Sequence, residues 1–157
     1  MTTRYVLNSA SSLRPIMVVE DNDMDLDFCL QAFEEHGIVN PVIACRDGDE
    51  AIAFIDSHAQ PNDRDFPLLV LMDLRLPRID GVEVLRHARR QANWAMVPFV
   101  MLTTSSESID INAAYQQGVN SYIVKPVDFA KFSEVVKHIK LYWMLTNVPP
   151  FVPVSGD

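Results

Sequence analysis

The chain has 157 residues, room for one domain and little more, and 48% of them are hydrophobic, enough for a full core. A formal net charge of −8 argues against non-specific binding to nucleic acid or to an anionic membrane surface, both of which select basic proteins. No apolar run approaches bilayer-spanning length, the opening Met1-Thr2-Thr3-Arg4-Tyr5 lacks the apolar core of a secretion signal, and Cys29 and Cys45 have no Cys-x-x-Cys spacing, so they read as buried thiols in a reducing, cytoplasmic setting.

Residues 1–13 are polar, end in Ser9-Ala10-Ser11-Ser12, and are expected to form an extension outside the domain. Apolar runs then recur near 15–19, 42–45, 68–72, 99–102 and 121–124. Each is short and rich in Val, Ile and Leu, the pattern of strands covered on both faces in a parallel sheet. Five amphipathic helices separate and follow them. The first spans about Asp23 to His36, with Leu26, Cys29, Leu30 and Phe33 on one face and Gly37 to end it. The second opens at the acidic cap Asp47-Gly48-Asp49-Glu50 and presents Ala51, Ile52 and Ile55. The third opens the same way at Asp80-Gly81-Val82-Glu83 and is expected to bury Val82 and Leu85. The fourth follows Ser105-Ser106 and ends at Gly118. The fifth starts at Asp128, carries Phe129, Phe132, Val136, Ile139 and Trp143, and runs on through Leu141-Tyr142-Trp143-Met144-Leu145, longer than such a fold requires. The prolines of 147–157 exclude helix there. The expected architecture is α/β, a doubly wound five-stranded parallel sheet in (βα)5 order over residues 14–146, with a proline-rich tail at 147–157.

Four of the apolar runs end in chemically capable residues: Glu20-Asp21-Asn22-Asp23, then Asp73, then Thr103-Thr104-Ser105, then Lys125-Pro126. Open α/β sheets place their sites at the carboxyl ends of strands. Glu20, Asp21 and Asp73 together form a carboxylate cluster that repels itself unless a cation joins it. Mg²⁺ suits such oxygen ligands, Lys125 adds an ammonium, and Thr103 adds a hydroxyl donor. These are the parts for phosphoryl transfer to Asp73 as a covalent nucleophile. Plainer readings stand beside this one. Asp73 as a simple loop cap leaves Glu20, Asp21 and Lys125 unexplained. Asp23 and Asp25 read as an acidic helix start, Ser105 as a helix cap, and Tyr122 as a strand aromatic of the core. His36, His58, His87 and His138 show no ligand spacing, and Arg86, Arg89 and Arg90 read as a solvated helix face.

The order Glu20-Asp21, Asp73, Thr103, Lys125-Pro126 resembles the receiver domain of bacterial two-component response regulators, over roughly residues 14 to 140. The resemblance implies a flavodoxin-like fold and a regulator, not an enzyme with its own substrate. In it Asp73 takes a phosphoryl group from a sensor histidine kinase, with self-catalysed transfer and loss. It implies Mg²⁺ held directly by Asp21 and Asp73, through water by Glu20, and by the backbone carbonyl of Arg75, whose side chain is free for other work. It implies Thr103 and Tyr122 as a switch pair, Lys125 as the phosphoryl partner, and a cis Lys125–Pro126 peptide. Thr104 stands where a smaller residue is common in the family, and its bulk is expected to slow water entry.

A second resemblance rests on the extended chain end and on Asp73-Leu74-Arg75-Leu76-Pro77-Arg78. These are similar to the regulators that partner cyanobacterial and bacterial phytochrome kinases and dimerise through the fourth helix, fifth strand and fifth helix. It implies a phytochrome-type kinase partner and a homodimer. Adjacent helical aromatics point to different sides, so Tyr142 and Trp143 are the interface candidates. With 30 residues from Asp128 onward, no output domain fits, and output is expected through that same face. Two alternatives remain: a phosphate-independent adaptor of the same fold, and an aspartyl-phosphate phosphohydrolase. The latter usually needs a second acid two residues past the nucleophile, where Arg75 stands.

Overall fold

The computed structural model describes residues 2–5 and 13–150. Its strands are β1 (Thr3–Tyr5), β2 (Ile16–Val19), β3 (Val42–Cys45), β4 (Leu69–Met72), β5 (Phe99–Thr103) and β6 (Ser121–Val124). Its helices are α1 (Asp23–Glu35), α2 (Gly48–Ser57), α3 (Gly81–Arg89), α4 (Ser108–Gln116) and α5 (Phe129–Ile139). One sheet runs in the order β1-β3-β2-β4-β5-β6. From β3 to β6 every pairing is parallel, and central β2 lies between β3 and β4, with Ile16 opposite both Val42 and Leu69.

The expected doubly wound α/β fold is present, with strand limits within a residue of those read from the sequence. One strand is added. Thr3–Tyr5 pairs antiparallel with β3, Thr3 opposite Ala44, inside the segment expected to lie outside the sheet. Three residues with Thr and Tyr flanking Arg4 are enough to cover an otherwise open edge, and too few to show a period.

Four helices begin at a side chain that accepts the amide three residues on: Asn22 from Asp25, Asp47 from Glu50, Asp80 from Glu83 and Asp128 from Lys131. Core lies on both faces of the sheet. Trp94, Phe99, Met101, Phe54 and Leu85 fill one side, while Phe33, Ile38, Leu71, Phe132 and Val136 fill the other. In α3 the buried positions are Gly81, Val84, Leu85 and Ala88, with Val82 only partly covered, because the helical period carries 81, 84, 85 and 88 to one face. Past Ile139 the chain continues as a π-helical turn, Lys140–Thr146, that leaves Leu141, Tyr142 and Leu145 exposed.

Three other expectations change. The Lys125–Pro126 peptide is trans, the ground state even for X–Pro bonds. Arg89 is not on a solvated face: it spans the amino end of the sheet, donating to five backbone and side-chain acceptors. His58 does meet possible ligands, since a nitrogen or oxygen from each of His58, Asp63 and Asp65 falls within 4.8 Å of the others. Chain separation is short there, but a turn rather than a helix brings them together. Among the described residues no helix is long and apolar enough to cross a membrane.

Candidate functional site

β2, β4, β5 and β6 end side by side, and the backbone ladder continues one residue past three of them. Glu20 N–H donates to the Cys45 carbonyl (3.0 Å), Asp73 N–H to Val19 (3.0 Å) and Lys125 N–H to Thr103 (2.6 Å). Each functional side chain therefore leaves a backbone held by the sheet rather than by a free loop.

The side chains converge. Lys125 Nζ lies 2.8 Å from Glu20 Oε2, 3.0 Å from Asp25 Oδ2 and 3.5 Å from Asp73 Oδ2. Lys125 and Glu20 are nearly buried, at 6% and 5% side-chain exposure. Burial pushes the Glu20 carboxyl up to about 7 in spite of Lys125, and the Asp73 charge adds to the rise. For Lys125 burial acts in the other direction, against the ammonium. The charge of Glu20 and its hydrogen bond, then Asp73 and Asp25, outweigh it and hold the proton more firmly than in an ordinary lysine.

Oxygens of Glu20, Asp21 and Asp73 lie within 4.8 Å of one another, with Glu20 buried and Asp21 exposed. That donor set, all carboxylate and open to solvent on one side, fits a hard divalent ion that keeps part of its water. Thr103 is fully buried, and its Oγ1 accepts the Ser105 amide at 3.4 Å. Thr104 is exposed. Tyr122 is partly buried against the Trp94 side of the core, and its hydroxyl donates to the Ser105 carbonyl at 2.9 Å. Tyr142 is exposed and Trp143 packs partly on the opposite core, yet the two aromatics do not point apart: their rings meet edge to face with centroids 5.0 Å apart, because the π-helical turn changes the spacing of side chains around the axis. Both lie away from the strand-end cluster.

The loop that carries Asp73 is fixed by close backbone contacts. A Cβ on Gly81 would sit 2.4 Å from the Asp73 carbonyl oxygen, and one on Gly48 would sit 2.3 Å from the Ile79 carbonyl oxygen, so neither position admits a side chain without a shift. Arg78 holds a left-handed backbone, φ 63°, with its guanidinium on Asp47 and Asp49, each at 2.8 Å.

Sequence reading missed several contributors. Asp25, given a plain capping role, is a direct partner of Lys125. Arg46, just past β3, donates to the Glu20 carbonyl (3.2 Å) and the Asp21 carbonyl (3.3 Å) and pairs with Asp23. Asp110 on α4 takes the Arg75 guanidinium. Only Asp25 left a trace in the sequence, in the first turn of the helix that follows the strand end.

The family model of the response regulator receiver domain matches residues 16–137. The chain is 38% identical over 135 residues to the probable methanogenesis regulatory protein FilR2 of Methanothrix harundinacea, covering 86% of each chain. It is 32% identical to the response regulator Rcp1 of Synechocystis, over 86% of this chain and 92% of that one. The crystal structure of the Mn²⁺-bound form of Rcp1 superposes with a TM-score of 0.79, at 31% identity over 88% of this chain and 100% of that one. The phosphorylated cyanobacterial phytochrome response regulator RcpA superposes with a TM-score of 0.80, at 33% identity over 87% and 98%. The superposition on these structures and a family match running from the first parallel strand into the last helix lead to one assignment: the chain belongs to the response regulator receiver domain family and is related to its phytochrome response regulators.

Proposed function

We propose that this protein is a phosphoacceptor regulator, charged on Asp73 by the phosphohistidine of a sensor histidine kinase. The observation that carries the reading is Lys125 Nζ, nearly buried and shared between Glu20 Oε2 and Asp73 Oδ2 at the strand ends. An Asp73 oxygen forms the new O–P bond as the N–P bond breaks and the imidazole leaves. Lys125 meets one phosphoryl oxygen and the Thr103 hydroxyl another, so charge is met where it develops. Glu20, Asp21, Asp73 and the Arg75 carbonyl would hold Mg²⁺. The ion, when bound, would supply positive charge to the developing phosphoryl oxygens beside that of Lys125. The Mn²⁺-bound state of Rcp1 and the phosphorylated state of RcpA support this reading by relationship.

The working unit is residues 14–146, with the Thr3–Tyr5 strand added to its edge. Thr103 and Tyr122 act as the switch, shifting an equilibrium at the face of α4, β6 and α5. The partner is a cytoplasmic histidine kinase of the phytochrome type, and the same face with Tyr142 and Trp143 carries a homodimer. The exposed Thr104 slows water attack. Thr104→Ala should therefore lose phosphate several-fold faster, and an unchanged rate removes that role.

The deciding experiment is intact-mass spectrometry after incubation with acetyl phosphate and Mg²⁺. A gain of one phosphoryl group, absent in Asp73→Asn and with chelator, supports the reading. No gain, together with no transfer from a phosphorylated kinase, rejects it in favour of the adaptor. Multiple turnover on a phosphate ester would make it an enzyme instead. Light scattering of Tyr142→Ala/Trp143→Ala tests the dimer, whose interface is rejected if the mass is unchanged.

A further inference from the structure

Arg75 ties the loop after β4 directly to α4, the helix that follows β5. Its amide donates to Asp73 Oδ1 at 3.3 Å, so its backbone is placed by the acceptor carboxylate. Its side chain leaves the site and reaches α4, where Nη2 lies 2.6 Å from Asp110 Oδ2. The same Asp110 oxygen accepts the Ser105 hydroxyl at 2.6 Å. Ser105 in turn accepts the Tyr122 hydroxyl on its carbonyl and rests its amide on Thr103 Oγ1. The Arg75 side chain is 66% exposed, whereas Asp110 is 16% exposed and is held by the Ser105 hydroxyl as well as by Arg75.

We infer that Arg75 is a latch, exchanged between Asp110 of α4 and the phosphoryl group on Asp73. This rests on the proposed phosphoacceptor reading and adds Asp110 to it as a positioning residue. A phosphoryl group brings about −1.5 to −2 of charge and three acceptor oxygens to a point two residues from Arg75. A forked guanidinium prefers that to one carboxylate oxygen already shared with a hydroxyl. When Arg75 crosses over, the start of α4 loses its tie to the acceptor loop, and Asp110 and Ser105 move as one unit with Tyr122. Coupling of this kind is reciprocal, so cutting the tie from the α4 side favours the phosphorylated state.

The test follows loss of the phosphoryl mass from protein loaded with acetyl phosphate and Mg²⁺, in wild type, Asp110→Asn, Arg75→Ala and the double variant. Asp110→Asn should lengthen the half-life about three- to fivefold, the scale of one exposed ion pair. Asp110→Glu should restore the wild-type value. Arg75→Ala should abolish the gain, so the double variant behaves as Arg75→Ala alone. Hydrogen exchange over residues 108–116 should rise on phosphorylation in wild type and be raised beforehand in Asp110→Asn. The latch is overturned if Asp110→Asn leaves the half-life unchanged, or lengthens it equally with Arg75 absent. A wild type that never gains phosphate, even from a kinase, overturns the proposed function and the latch together.

Discussion

Lys125 and Arg89 are both largely covered cations, at opposite ends of the same sheet, and their surroundings differ in kind. Arg89 donates to the carbonyls of Trp94, Ala95, Val97 and Gly118 and to Asn120 Oδ1, and its guanidinium lies 4.9 Å from the Phe99 ring centroid. Every acceptor is neutral, no counter-charge among the described residues approaches, and burial holds its pKa below the usual arginine value. Among the described residues the Lys125 ammonium meets only carboxylates. A fork saturated by neutral acceptors ties loops together and has nothing further to do. A point charge among crowded carboxylates relieves repulsion only in part, and the remainder is an attraction for more cation or for a change of charge on Asp73.

The sharpest way to break this comparison is to remove each cation in turn. Lys125→Ala should slow phosphorylation by acetyl phosphate by about two to three orders of magnitude, the scale of losing one aimed charge. Its fold should survive, by circular dichroism. Arg89→Ala should instead lose about 1–3 kcal/mol of stability in urea titration, because the carbonyls of the buried residues Trp94 and Val97 lose their donor. Below its unfolding midpoint it should phosphorylate normally. If Arg89→Ala lost activity at wild-type stability, the division between a structural and a reactive cation would fail.

Gly81→Ala tests whether the acceptor loop belongs to both regions. A methyl against the Asp73 carbonyl should destabilise by about 1–3 kcal/mol and also slow phosphorylation. Loss of stability with an unchanged rate would mean the loop adjusts without moving Asp73.

The smallest effect concerns the two thiols. Burial pushes both Cys29 and Cys45 up to about 12. Neither should react with a disulfide reagent at pH 8 in the native state, and both should react in denaturant. Because the unfolded thiols ionise near their ordinary value and the native ones do not, the unfolded state binds fewer protons between about pH 9 and 12. Stability should fall as pH rises through that window. A rapid native reaction would show that one of the two cores opens locally.

The fold was legible because strands buried on both faces must be continuously apolar. Val18-Val19 or Leu71-Met72 cannot be read otherwise once a polar strand end and a capped helix follow. The strand-end residues were legible for the same reason, since Asp73 and Lys125 are the charges that terminate such runs. The pairings were not. Asp110 meets Arg75 across 35 residues, and Arg89 meets Asn120 across 31. Where those side chains arrive is set by how helices cross the sheet, which no local pattern records. The edge strand at Thr3–Tyr5 was missed because it is three residues long, only partly covered, and recruited by the open side of β3.

Synthesis order gives the Lys125–Glu20 contact another meaning. The two residues stand 105 positions apart, and Lys125 enters only with the last strand. A growing chain therefore exposes Glu20, Asp21, Asp25 and Asp73 long before the ammonium that gathers them exists. The receptive pocket is therefore closed only once the sixth strand is made, and the fifth helix, with Phe132 and Val136, is then still to be laid on the core.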